Sequence, residues 1–137
     1  SERCDLVIGS RFVPGGLQEG RSFSRIAISA LANLYLRIIL GSSSIKDCTS
    51  GFRCFRRELL EAIEPGTLRS RGPSIVGEAL FRCRGARIME IPITFHDRKH
   101  GRSKFNFRAM FANIIMAPKL RIISIFCPRR YFPKRDS

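Results

Sequence analysis

Tryptophan is absent and tyrosine occurs only twice in 137 residues. Acids are scarce as well, 11 against 25 Lys and Arg, and no two of them form a D-x-D pair. A divalent cation takes several hard oxygen ligands, so this chain offers no metal site of that kind. Cysteine occurs at 4, 48, 54, 83 and 127, an odd count with no C-x-x-C spacing. That excludes a zinc site of that pattern, and the thiols read as reduced, in a cytosolic setting. Without Trp, with two Tyr and with no recognition motif, a basic nucleic-acid-binding module is a poor account of the chain. No stretch approaches the ~18 uninterrupted apolar residues of a membrane span. The nearest, Met110 to Met116, is soon cut by Pro118, Lys119 and Arg121. No internal repeat is visible.

What is present is positive charge. The formal net charge of +14 calls for polyanionic partners: nucleic acid, anionic lipid head groups or phosphorylated substrates. The plain alternative is a soluble basic surface. A hydrophobic content of 44% excludes wholesale disorder, and the length suits one domain. The chain opens on Ser1 rather than Met and enters a strand almost at once, so it reads as a piece of something longer.

Leu6-Val7-Ile8 lacks polar alternation, as a buried parallel strand does. Residues 12–24 read as loop. A helix is expected from about Ser24, with Ala27, Ala30, Leu31, Leu34 and Ile38 on one face and Gly41 ending it. A polar turn, Asp47 to Arg53, leads into Cys54-Phe55. Arg56 to Ile63 forms a short helix, and Pro73 to Cys83 another with Ile75, Ala79 and Leu80 inward. Arg87 to Phe95 alternates as one strand with one buried face. Asp97 to Lys104 is a charged loop, Phe105 to Met116 an apolar helix, and Arg129 to Ser137 a basic tail. Alternating strands and helices predict an α/β domain, with too few strands for a full sheet.

Several residues carry possible chemistry. The strand of "DLVIGSR" ends on Arg11, and ligands of open α/β sheets bind beyond the strands' carboxyl ends. Arg25 and Ser29 lie one helical turn apart; a guanidinium fork and a hydroxyl at that spacing make a compact phosphate clamp. Otherwise they are a solvated helix-start residue and a packing residue. The stretch "HDRKHGRSK" (96–104) gathers cations around a glycine, as a lid over phosphates or simply an exposed charge run. Its two histidines would ligate a metal only if helical, which Gly101 opposes. Glu78 is a candidate base or an ordinary helix-face charge, and Asp47 sits in the turn before "TSGFR".

The segments "DLVIGSRFVPGG", "SRIAISALANLYLRIILG", "KDCTSGFRCFRRELLEAI", "GPSIVGEALFRCRGARIMEIPITFHDR" and "HGRSKF" resemble, in order and spacing, the polyprenyl-phosphate (dolichyl-phosphate) mannosyltransferases of glycosyltransferase family 2. The resemblance covers residues 5 to about 105. It implies part of a GT-A fold, a mixed and mainly parallel sheet flanked by helices, without the N-terminal donor half. Residues 1–105 would then be the acceptor-side part of the catalytic domain, and 106–137 an apolar then basic tail at a membrane interface.

The family's nucleotide-binding unit and D-x-D motif lie upstream, so the metal, Mg or Mn, and its ligands belong to the full-length enzyme and not to this chain. Arg11, Arg25 and Ser29 would hold the lipid phosphate, and Arg98, Ser103 and Lys104 would contact phosphates from the loop. Glu78 and Asp47 are the weakest catalytic candidates. The implied reaction moves mannose from the nucleotide-sugar donor GDP-mannose to a polyprenyl phosphate with inversion, at the cytoplasmic face of a membrane, in glycolipid biosynthesis and protein glycosylation. The implied partners are donor, lipid and membrane surface, not nucleic acid. A glucosyl or aminosugar transferase to the same kind of lipid, and an inactive remnant, are the competing readings.

Overall fold

The computed structural model describes residues 4–42, 44–70, 74–96 and 107–126. Strand β1 (Leu6–Ser10) lies at the centre of a three-stranded sheet. It pairs antiparallel with β3 (Arg53–Phe55) and parallel with β4 (Ile88–Pro92). Leu6 and Ile8 are fully buried, which is why this strand carries no polar alternation. The chain is therefore α/β with a mixed sheet, as its alternating elements predict.

A second, two-stranded parallel sheet joins β2 (Leu17–Glu19) to β5 (Thr94–His96). Two expectations change here. Residues 12–24 are not all loop, and the strand expected over 87–95 divides between two sheets. Ile93 makes the change: its N–H donates to the Ser10 carbonyl, and its own carbonyl accepts from Leu17 N–H. Pro92 has no N–H to continue the first ladder. Within β4 the apolar Met89 and Ile91 face out, while Glu90 is turned to the other side and half-buried.

Helix α1 (Phe23–Leu40) starts one residue before Ser24, after an N-cap at Ser22. Gly41 ends it in the left-handed region at φ 64°, where glycine pays no Cβ penalty. The face it buries differs from the expected one. Asn33, Leu36 and Leu40 are buried, whereas Leu31, Leu34 and Ile38 are exposed. The helix is apolar on nearly every side, so periodicity cannot choose among its faces. Among the described residues it is the one helix long and apolar enough to cross a membrane, with a mean hydropathy of 1.4. Arg25 and Arg37 interrupt it, so it contains no uninterrupted apolar run of that length.

Helix α2 (Arg57–Ala62) is short, and a 3-10 turn (Pro65–Thr67) follows. Helix α3 (Ser74–Arg82) buries Leu80 and Phe81 but leaves Ile75 exposed, against expectation, because Ser74, Gly77 and Glu78 take the inward positions. Helix α4 (Phe107–Phe126) passes through Pro118 without ending and packs on α1 and α3. Its Ala117 and Leu120 join the core made by Leu6, Ile8, Leu36, Leu40, Leu80 and Phe81. Each such aliphatic side chain removed from water contributes roughly 1.5–3 kcal/mol.

Candidate functional site

The arginine that ends β1 meets a buried carboxylate. Arg11 Nε donates to Asp47 Oδ2 at 2.8 Å, Nη2 donates to Oδ1 at 2.8 Å, and the Arg11 backbone N–H adds a third bond to Oδ2 at 3.1 Å. Asp47 is fully buried and the Arg11 side chain nearly so. Burial by itself would raise the Asp47 carboxyl. The Arg11 hydrogen bonds and charge, with Thr49, outweigh it and hold the group below its ordinary value. Such a pair is fork on fork, with a fixed plane.

Thr49 extends the pair. Its hydroxyl donates to Asp47 Oδ1 at 3.1 Å and accepts from Arg11 Nη2 at 2.8 Å. It also accepts from Asn33 Nδ2 at 3.2 Å, and Asn33 Oδ1 accepts from Thr49 N–H at the same distance. Asn33 Nδ2 also donates to the Ser29 carbonyl, one turn earlier in α1. Arg25, Ser29 and Asn33 follow one another at intervals of four, so they form one stripe along α1. Asn33 is the end of that stripe tied to the Asp47 turn. Arg25 and Ser29 are half-buried upstream of it.

Two further residues set the turn. Glu90 of β4 accepts from the backbone N–H groups of Lys46 and Asp47 at 2.8 and 2.9 Å. Arg53 of β3 donates to the carbonyls of Cys48, Ser50 and Val76 at 2.7, 3.0 and 2.7 Å. The turn is thus held from β4, from β3 and from α1 at once. Asn33, Thr49, Arg53 and Glu90 escape the sequence reading. Glu90 leaves a trace, since it breaks an apolar strand, and Asn33 leaves another, at the same spacing beyond Arg25 and Ser29.

Arg11 lines a cavity of about 320 Å³ with Thr49, Ser50, Phe52, Ile93 and Phe95, beyond the carboxyl ends of β1 and β4. Phe95 also carries two guanidinium groups near its ring, Arg11 at 5.7 Å and Arg21 at 5.3 Å from the centroid. Arg21 is one more cation that the motifs do not single out.

Glu78 lies elsewhere, on the buried side of α3. Its carboxylate accepts from the N–H groups of Arg69 and Ser70 and from Arg82 Nη2, the last at 3.1 Å. Burial raises it, but the bonds from Ser70, Arg69 and Arg82 prevail and keep it below its ordinary value. A fully buried carboxylate so bonded is a poor proton acceptor, and what it does is tie residues 69–70 to α3. Asp97, Arg98, Ser103 and Lys104 lie outside the described residues, as does the proposed boundary at 105.

Among the described residues no three His, Cys, Asp or Glu side chains come together as metal ligands. Both oxygens of Asp47 are engaged by Arg11 and Thr49, and both of Glu90 by backbone N–H groups. These carboxylates do not fit a divalent cation.

No family model matches the chain. It is 40% identical over 105 residues to the polyprenol monophosphomannose synthase of Mycolicibacterium smegmatis. It is 43% identical over 105 residues to the undecaprenyl-phosphate mannosyltransferase of Micrococcus luteus. To the dolichol-phosphate mannosyltransferase of Pyrococcus furiosus it is 38% identical over 108 residues. The matched stretches cover 75%, 75% and 78% of this chain, but 39%, 43% and 30% of those relatives. The chain spans less than half the length of the curated relatives it matches.

Proposed function

We propose that this chain supplies the acceptor-phosphate side of a mannosyltransferase site, within a GT-A fold whose donor half it does not include. The observation that carries this reading is the similarity to three proteins named for mannose transfer to, or synthesis on, a polyprenyl phosphate, over three quarters of the chain. The site geometry supports it in a specific way. Arg11 orders the Asp47–Thr49 turn and lines the cavity, while the Asn33 end of the Arg25–Ser29–Asn33 stripe is fastened to the same turn. Arg25 and Ser29 then receive the lipid phosphate, and Arg11 serves chiefly to position the turn.

The reaction is one in-line displacement. An oxygen of the polyprenyl phosphate attacks the anomeric carbon of GDP-mannose, the new C–O bond forms with inversion, and the bond to GDP breaks. A phosphate monoester carries about −1.5 to −2 charge near pH 7, so it needs no strong general base. What it needs is relief from repulsion by the donor's diphosphate, which arginines in a partly dry site provide. In this reading Mg or Mn belongs to the donor half, and no step assigned to this chain runs through it.

The acceptor is a lipid, and the open apolar residues fit a membrane surface at the cytoplasmic face. Phe23, Leu31, Leu34 and Ile38 of α1, with Ile115, Ile122 and Phe126 of α4, are exposed beside Arg and Lys. The test is binding of a short-chain polyprenyl phosphate in detergent, against the matching alcohol. The phosphate should bind and the alcohol should not. Arg25→Ala should weaken binding roughly 10- to 100-fold, the worth of a hydrogen bond to a charged group. Equal binding of alcohol and phosphate, or an Arg25→Ala variant that binds as the parent does, would overturn the assignment.

A further inference from the structure

Helix α1 is anchored unevenly. Its buried residues are Asn33, Leu36 and Leu40, so no residue nearer its N-terminus is buried. Leu36 and Leu40 belong to the apolar core. Asn33 is thus the first buried side chain of the helix, and Arg25 and Ser29 lie on the stretch before it. At ~1.5 Å per residue they stand about 12 and 6 Å from Asn33 along the axis.

What fixes Asn33 is polar. Its Nδ2 group donates to Thr49 Oγ1 and to the Ser29 carbonyl, both at 3.2 Å, and its Oδ1 accepts from the Thr49 N–H at 3.2 Å. An amide nitrogen has two hydrogens, and both are used. The Thr49 N–H also decides which way the amide faces, because only its oxygen can accept that bond. The Thr49 hydroxyl is equally full. Its one hydrogen goes to Asp47 Oδ1 at 3.1 Å, and its two lone pairs take Arg11 Nη2 at 2.8 Å and Asn33 Nδ2. No valence is left there for a ligand. Asn33, Thr49, Asp47 and Arg11 therefore form one closed set of bonds, and it links α1 to the end of β1.

Stability alone does not ask for asparagine at this position. Asparagine is a poorer helix former than leucine, and a buried bonded amide contributes little over an apolar side chain with an apolar partner. What the amide adds is direction. Apolar burial at Leu36 and Leu40 is non-directional, whereas the amide fixes rotation and axial position together. The distance to Arg25 makes this matter. A tilt of about 10° about Asn33 would carry residue 25 about 2 Å sideways, more than a hydrogen bond tolerates.

We infer that Asn33 is a positioning residue of the acceptor-phosphate site: through Thr49 it holds the Arg25–Ser29 end of α1 in one place relative to the turn that Arg11 and Asp47 build. The inference rests on the role proposed above for Arg25 and Ser29. Without the tether that end of the helix spreads over several placements, and affinity falls with the fraction that stays competent.

The test is a titration of the 15N-labelled chain with a short-chain polyprenyl phosphate in detergent, with the matching alcohol as blank. In the parent, the Thr49 amide and the Asn33 side-chain NH2 should shift with the same midpoint as the amides of Arg25 and Ser29. A residue that only supports the fold would stay still while phosphate binds elsewhere on the helix. Asn33→Ala should bind the phosphate about tenfold more weakly. Leu36→Val, which removes a methylene from the same helix face and leaves the tether intact, should lower the thermal melt and bind as the parent does. If Asn33→Ala does not fold, the parent titration decides the question.

A parent that binds no phosphate would overturn the acceptor-phosphate reading and this inference with it. A parent that binds while the Thr49 and Asn33 signals stay unmoved would overturn the positioning role alone. So would an Asn33→Ala variant that binds as the parent does, or a Leu36→Val variant that loses as much affinity as Asn33→Ala.

Discussion

The Tyr35 hydroxyl donates to the Ile114 carbonyl at 2.6 Å. In an uninterrupted helix that carbonyl would accept from the N–H of residue 118, which is proline and has none. A side chain of α1 thus completes the backbone of α4, and α4 continues to Phe126. Tyr35→Phe should destabilise the chain by about 1 kcal/mol in urea melts. In a Pro118→Ala background, where residue 118 again has an N–H, the same change should cost close to nothing. Equal costs in both backgrounds would show that the bond does not compensate for the proline.

The two faces of α1 should answer differently to truncation. Leu36→Ala empties a packed position and should cost about 2–5 kcal/mol. Leu31→Ala, on the open face, should change stability by less than about 0.5 kcal/mol. It should instead reduce binding to vesicles rich in anionic lipid, measured by co-sedimentation. A large loss of stability from Leu31→Ala would place the core on the other side of the helix.

Acid should unfold the chain partly through Asp47 and Glu78. Both sit below their ordinary values, 3.8 and 4.5, in the folded state. The unfolded chain therefore binds protons first as pH falls. The stabilisation is complete above those ordinary values and is lost as pH drops through the lower folded ones. Asp47→Asn should cost roughly 3–5 kcal/mol at pH 7, since it leaves Arg11 buried without its charge partner. It should also flatten the decline between pH 4 and pH 3 in urea melts, a window set by ordinary carboxyl values of about 4. An Asp47→Asn variant with the parent's acid limb would exclude this group as its cause.

Thiol reactivity should follow burial. Burial pushes the Cys48 thiol up to about 12 and the Cys83 thiol to about 11. Cys54 is exposed. At pH 8 a thiol reagent should modify Cys54 within minutes, while Cys48 and Cys83 react only once the chain is denatured, because the thiolate is the reactive form. Mass spectrometry of the labelled peptides reads the order directly. Rapid labelling of Cys48 in the native chain would contradict its place in the core.

The sequence by itself determined the local elements. Leu6-Val7-Ile8 reads as a buried strand and is one, Gly41 is where a helix stops, and five motifs in register carry the likeness to the mannosyltransferases. The place of Arg11 at a strand end also marked it for an anionic partner, and that partner is the Asp47 carboxylate. The partner each side chain meets was decided by tertiary structure. Asp47 lies 36 residues from Arg11, and nothing local says that their side chains meet. Leu36 rather than Leu34 faces the core because α4 and the sheet lie on that side, while the helix itself is apolar all round. Glu90 turns in and Met89 turns out because the 46–47 turn needs an acceptor for two backbone N–H groups. Hydrophobic periodicity records where a chain can be buried; which of those places is used depends on what the rest of the chain brings to each face.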